Sequence, residues 1–207
     1  ENSFSILERR LPHWSQAGAL CFITWRLADS LPNSVLQRLE VEIKELLVGE
    51  GLSAANWKSE LARRDPMTRG RVRWKLFVTR EQYLHAGYGR CWLAEYECAS
   101  HVLDALQHFD EQRYFLTDAV VMPNHVHFLC AFGSEDLMLK QCEDWKRFTA
   151  RGVNKSVGRK GELWQVDQYD HLVRSEAQFE HYRRYIKNNP AAAGLKTGQF
   201  LHYSKSL

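Results

Sequence analysis

Two pairs of residues in this 207-residue chain have the types and spacing to do chemistry. His125 and His127 are separated by one residue in the run HVHFLCAF at 125–132. In an extended strand, side chains two apart share a face, so both imidazoles project together while Val126 turns to the other side. Two imidazoles so placed can share one metal ion, although strands in ordinary cores also carry hydrogen-bonded histidines. Tyr185 and Asn189 lie four apart in a segment of helical periodicity, which makes them neighbours on one helix face. A phenol and an amide oxygen able to bind a metal would then travel as a unit. The same residues also have a structural reading, in which Tyr182, Tyr185 and Ile186 pack the helix onto a sheet and Asn189 caps it before Pro190. Spacing alone leaves both open.

Cations suited to phosphates cluster in three places. Between Lys58 and Arg90 the chain carries Arg63, Arg64, Arg69, Arg71, Arg73, Lys75 and Arg80, interleaved with Trp74, Phe77, Tyr83 and Tyr88. Charges that meet phosphates beside aromatic faces that stack on unpaired bases suit nucleic acid. Lys146, Arg147 and Arg151 recur at helical spacing, and Arg183, Arg184 and Lys187 surround Tyr185. Each group also reads as a solvated face. The net charge of +3 does not by itself indicate a polyanionic partner, so distribution carries this argument.

The elements that must position these residues follow from periodicity. A strand is predicted over Ala19–Leu27, then helix-start chemistry at Asp29, Ser30 and Pro32 and a helix over Asn33–Val48, ended by Gly49 and Gly51. Residues 50–90 have weak periodicity, with a short strand near Arg73–Val78, and read as an insertion that could contact substrate. A helix follows over Trp92–Phe109. The runs Arg113–Met122 and His125–Phe132, split by Pro123 and Asn124, make an antiparallel hairpin. A helix over Leu137–Val153, a strand-like stretch over Leu163–Val173 and a helix over Glu176–Asn188 stopped by Pro190 complete the chain. The pattern is α+β: one antiparallel sheet with helices packed on it.

Length predicts a single domain spanning residues 1–207, with the insertion at about 50–90. Composition, 44% hydrophobic and 26% charged, excludes disordered and fibrous classes. No apolar run approaches the roughly 18 residues that span a bilayer, and Glu1–Arg10 lacks the regions of a signal peptide, so a cytoplasmic protein without a membrane partner is expected. Five cysteines without a C-x-x-C pair suggest buried thiols, not a disulfide framework or zinc ribbon.

Three motifs occur together: V-V-M-P-N-H-V-H-F-L at 120–129, L-W-Q-V-D-Q-Y-D-H at 163–171 and Y-I-K-N-N-P-A-A-A-G-L at 185–195. In this order they resemble the REP-associated tyrosine transposases, relatives of the single-strand insertion-sequence transposases of the HUH (His-hydrophobic-His) class. The likeness extends from R-R-L-P-H-W at 9–14 to the end, with residues 50–90 longer than in compact members. Conjugative relaxases, by contrast, carry their tyrosine ahead of the histidines. The resemblance implies a ferredoxin-like or RRM-like core, His125 and His127 as ligands of Mg²⁺ or Mn²⁺, Asn189 as third ligand and Tyr185 as nucleophile. In insertion-sequence relatives that third ligand is usually glutamine, one methylene longer. Tyr182, one turn earlier, competes for the nucleophile role, but Tyr185 occupies the family's Y-I-x-x-N-P position.

The implied activity is site-specific cleavage and rejoining of single-stranded, hairpin-bearing repeat DNA through a 5′-phosphotyrosine intermediate. DNA contacts are expected from Lys146, Arg147, Arg151, Arg183, Arg184, Lys187, Arg71, Arg73 and Trp74, and a monomer rather than a dimer. Two other functions fit the same residues: a DNA-binding module without cleavage, and a metal-dependent nuclease that uses water, with Tyr185 structural.

Overall fold

The inner strands of the central sheet are nearly continuous apolar runs buried on both faces. In the computed structural model, which describes residues 19–206, the strands are β1 (Ala19–Arg26), β2 (Phe115–Val121), β3 (His125–Phe132), β4 (Tyr169–Leu172) and β5 (Leu201–Ser204). The helices are α1 (Asn33–Gly49), α2 (Trp57–Ala62), α3 (Pro66–His85), α4 (Tyr96–Gln107), α5 (Glu135–Ser156) and α6 (Glu176–Ala192). The R-R-L-P-H-W motif at 9–14 lies outside the described residues. Two compact units emerge, one made of residues 19–28 and 91–206 and the other of Asp29–Arg90.

The first unit holds an antiparallel sheet in the order β4-β1-β3-β2-β5. The succession β1-α4-β2-β3-α5-β4 with its four strands in the order 4-1-3-2 is the ferredoxin-like arrangement, so the α+β expectation holds. Cys21, Ile23 and Trp25 of β1 and Val126, Phe128, Cys130 and Phe132 of β3 share one face. That face packs against Val102 and Leu106 of α4 and Met138, Cys142 and Trp145 of α5. Trp145 fixes the two helices to each other by donating its indole N–H to the Ala105 carbonyl at 2.8 Å. The other face carries Phe22, Thr24, His125 and His127 and is covered by α6, whose Tyr182 stacks on Phe22. Val126 thus turns away from the histidines, as alternation requires.

The hairpin at Pro123–Asn124 forms as expected, closed by Met122 N–H donating to the His125 carbonyl at 2.9 Å. Several other expectations are corrected. Arg73–Val78 is helical, within α3: Asp65 caps that helix by accepting from Thr68 N–H, and Pro66 at its first position is preorganised for helix. Its period is weak in sequence because only Val72, Phe77 and Leu84 among its apolar residues are buried. Residues 50–90 fold together with α1, through Leu31, Val35, Leu39 and Leu84 and through Leu47, Leu52, Leu61 and Val72. Asp29 does not cap α1; its carboxylate accepts from Arg90 N–H at 2.9 Å, and Gly89 (φ +86°) lies so close that a Cβ would sit 2.5 Å from the Asp29 carbonyl oxygen.

The helix expected at 92–109 is broken by Glu95, which is extended, into a 3-10 turn at Trp92–Ala94 and α4. Only Tyr169–Leu172 of the stretch 163–173 pairs as a strand, while Trp164 makes an isolated bridge to Leu27. Pro190 does not stop α6, which runs on to Ala192. In the last turn the missing N–H removes a single helical bond, and Gly194 (φ +68°) turns the chain out. The strand β5, beside β2, was not expected. Four cysteines are buried thiols and Cys91 is half-buried. No helix among the described residues is long and apolar enough to cross a membrane.

Candidate active site

The hairpin turn places the histidines. Asn124 accepts Leu27 N–H on its carbonyl at 2.9 Å, and Pro123 accepts Leu93 N–H at 3.1 Å, so the loop ahead of His125 is tied on both sides. His125 and His127 are buried, with ring centroids 4.7 Å apart. His125 Nδ1 lies 2.7 Å from Asn124 Oδ1. Because that oxygen only accepts, it selects the tautomer with the proton on Nδ1 and the lone pair on Nε2. His127 Nδ1 lies 2.8 Å from Thr24 Oγ1, on the neighbouring strand. Both Nδ1 atoms are thereby engaged, and a cation would be taken by Nε2.

The second half of the site is carried by α6. Ser175 caps it, accepting from Gln178 N–H, and its apolar stripe of Phe179, Tyr182 and Ile186 is buried. Tyr182 stacks on Phe22 with centroids 4.3 Å apart; burial, with Tyr169 beside it, drives its phenol far above the ordinary 10.0. Tyr185 is only half-buried, meets Phe22 edge-on at 5.6 Å and stands 5.4 Å from His127, centroid to centroid. One turn on, Asn189 is 1% exposed, and neither Oδ1 nor Nδ2 has a hydrogen-bond partner among the described residues. Asn189, whose spacing before Pro190 also fits a helix cap, lies inside α6. His181, Arg184, Tyr185, Asn188, Asn189 and Ala192 line a cleft of about 270 Å³.

A buried amide with no partner forfeits about 1–3 kcal/mol unless something meets it. Two intermediate imidazole donors and one hard amide oxygen suit a first-row divalent cation or Mg²⁺, so the residues present fit such an ion.

The expected DNA contacts are distributed unevenly. Arg184 and Lys187 are exposed on the tyrosine helix, and Arg184 lines the cleft. Arg183 turns inward to Asp118 of β2, with Nε 3.1 Å from Oδ2. Lys146, Arg147 and Arg151 are on α5, which packs on the sheet face opposite Tyr185, and the structure does not bring them to the site. Lys146 donates to the Gln165 and Val166 carbonyls, and its burial lowers its pKa; Arg147 pairs with Glu143 and Asp144; Arg151 Nε donates to the Arg147 carbonyl. Arg71, Arg73 and Trp74 belong to α3 in the second unit, where Arg71 pairs with Glu50 and Trp74 packs on Phe77. Sequence reading missed Thr24, Asn124, Phe22 and Asp118. Asn124 was detectable, being next to His125; the others enter only through strand register.

No family model matches the chain, and no curated protein matches it. Among solved structures it is similar to a REP-associated tyrosine transposase bound to a REP hairpin, with 16% identity and a TM-score of 0.38, covering 87% of this chain and 72% of that one. It is also similar to a candidate transposase from Deinococcus radiodurans R1, with 13% identity and a TM-score of 0.32, covering 87% of this chain and 98% of that one.

Proposed function

We propose that this chain is an HUH single-tyrosine transposase that cuts and rejoins single-stranded, hairpin-bearing DNA, with Tyr185 as nucleophile and a divalent cation, Mg²⁺ or Mn²⁺, held by His125, His127 and Asn189. The observation that carries the reading is the buried, unpartnered amide of Asn189, one turn beyond a half-buried tyrosine that faces His127. A helix that served only to pack would place an apolar residue there, since the amide is destabilising without a partner.

Tyr185 Oη attacks the scissile phosphorus in line; the bond from phosphorus to the 3′-oxygen breaks, leaving a 5′-phosphotyrosine and a free 3′-hydroxyl. The phenolic proton leaves as the bond forms, and the departing 3′-oxygen takes one up. Reversal with a second 3′-hydroxyl rejoins strands, and since one phosphodiester replaces another no nucleotide cofactor is needed. When bound, the cation supplies charge stabilisation at the phosphate oxygens. Asn124 and Thr24 hold the imidazoles in one orientation, and Phe22 separates the roles of the two tyrosines by burying Tyr182 while leaving the edge of Tyr185 accessible. Arg184 at the cleft can meet a phosphate.

The test incubates the protein and its Tyr185→Phe variant with Mn²⁺ and labelled single-stranded hairpin DNA. A denaturant-resistant adduct that disappears in the variant is expected. Cleavage without an adduct, unchanged by the substitution, would favour the water-using nuclease, and binding without cleavage the binding module.

A further inference from the structure

We infer that Asp118, Arg183 and Ser204 form a clamp that sets the position of the tyrosine helix, which makes Arg183 a positioning residue for Tyr185 and not a phosphate contact. The inference rests on the proposed role of Tyr185. Arg183 Nε lies 3.1 Å from Asp118 Oδ2, and its Nη2 donates to Ser204 Oγ at 3.0 Å and to the Lys205 carbonyl at 3.1 Å. Ser204 Oγ in turn donates to Asp118 Oδ1 at 2.7 Å and Arg183 Nε donates to the same oxygen at 3.3 Å, so the hydrogen bonds converge on Oδ1 while Oδ2 meets the guanidinium as an ion pair. Asp118 is a buried charge in the middle of β2, directly after the register shift between Leu116 and Asp118, and opposite Ser204 of β5.

Besides the Tyr182 phenol, which pairs with Tyr169, α6 is held to the sheet by burial of the apolar stripe Phe179, Tyr182 and Ile186, and burial is non-directional. Such contacts hold a helix down but fix its translation poorly. A guanidinium fork bound to a buried carboxylate, a hydroxyl and a carbonyl has one geometry, and it lies two residues from Tyr185. A phosphate could recruit Arg183 only by leaving the Asp118 carboxylate buried and uncompensated, which is strongly unfavourable.

The experiment uses the full chain with Asp118→Ala, Asp118→Asn and Arg183→Gln, following thermal melting, amide exchange of the DNA-free protein, affinity for hairpin DNA and its salt dependence, and the single-turnover rate of adduct formation with Mn²⁺. Asp118→Ala should raise exchange in α6 by about tenfold or more while α4 and α5 stay protected. The adduct rate should fall by roughly 10- to 100-fold with DNA affinity held within about twofold, as for a displaced reacting group. Asp118→Asn, which keeps an acceptor for the fork, should restore most of both and remains informative if the alanine variant does not fold. Unchanged α6 exchange in both Asp118 variants would overturn the clamp. So would an Arg183→Gln variant whose main defect is weaker DNA binding with a salt slope smaller by about one, the mark of a phosphate contact. If α6 loosens as expected but the unsubstituted protein forms no adduct, the clamp stands and the proposed function fails.

Discussion

The ring of Tyr185 stands edge-on to that of His127, with centroids 5.4 Å apart and planes at 75°. Tyr182, one turn earlier, is buried flat against Phe22. The two phenols therefore separate experimentally. Tyr185→Phe should abolish the covalent adduct, by at least about 10³-fold as for loss of a nucleophile, and leave the melting temperature nearly unchanged. Tyr182→Phe should keep the adduct. An adduct that survives in the first variant and is lost in the second would reverse the assignment, read by denaturing gel with labelled DNA.

Asn189 sets stability against ligand binding. Asn189→Leu replaces an unpartnered buried amide by an apolar group of similar size, so the metal-free protein should melt about 3–6 °C higher. The same variant should lose most of the Mn²⁺-dependent rise in melting temperature that the unsubstituted protein shows. A lower melting temperature without metal would mean that the amide is satisfied within the fold, and the case for it as a ligand would collapse.

Asn124 and Thr24 orient imidazoles through Nδ1. Asn124→Ala and Thr24→Val should each weaken Mn²⁺ binding by about 10- to 100-fold in calorimetry, without abolishing it, since the Nε2 donors remain. His127→Ala should abolish it. Equal affinity in all three variants would remove the metal from this site.

Alkaline pH should unfold the protein earlier than its composition suggests. Burial pushes Cys21 and Cys142 up to about 12 from 9.0 and Tyr114 up to about 12 from 10.0, and raises Tyr182 as well. Each folded-state pKa is above its unfolded value, so the stability these groups contribute is fully present below pH 9.0 and is lost as pH rises toward about 12. Urea midpoints should be flat up to about pH 8.5 and fall above it, and Tyr182→Phe should shallow the decline above about pH 10. A midpoint that holds steady to about pH 11 would contradict the burial of these groups.

The sheet and its histidines were legible in sequence because strand alternation is a local signal. Val126 and His127 must face opposite ways whatever packs on them. Tyr185 and Asn189 were likewise recoverable as a helical pair. What bears on their two readings, the burial of the Asn189 amide and the stacking of Tyr182 on Phe22, depends on β1 lying under α6, which no local pattern encodes. The position of the charges was hidden for the same reason. Lys146, Arg147 and Arg151 have the spacing of a phosphate-binding face, yet α5 stands on the far side of the sheet from Tyr185; Arg183 looked like a neighbour of phosphate and is bound to Asp118, 65 residues away. Arg73–Val78 reads as a strand although it is helical, because the helical signal of α3 lies in its Asp65–Pro66 start and not in apolar periodicity.

Tyr185 and Asn189 are borne on one uninterrupted helix, and that helix continues through Pro190 without a hinge between them. On the proposed reading, attacking atom and third ligand cannot be withdrawn separately. Any shift of α6 disarms the site as a whole, so a displaced helix leaves neither a cation-loaded pocket lacking its tyrosine nor a tyrosine poised over an empty one. If the chain does cut and reseal strands as proposed, such a site fails safe, because the attacking phenol and the amide ligand are tied to one another by the rigidity of a single turn of helix.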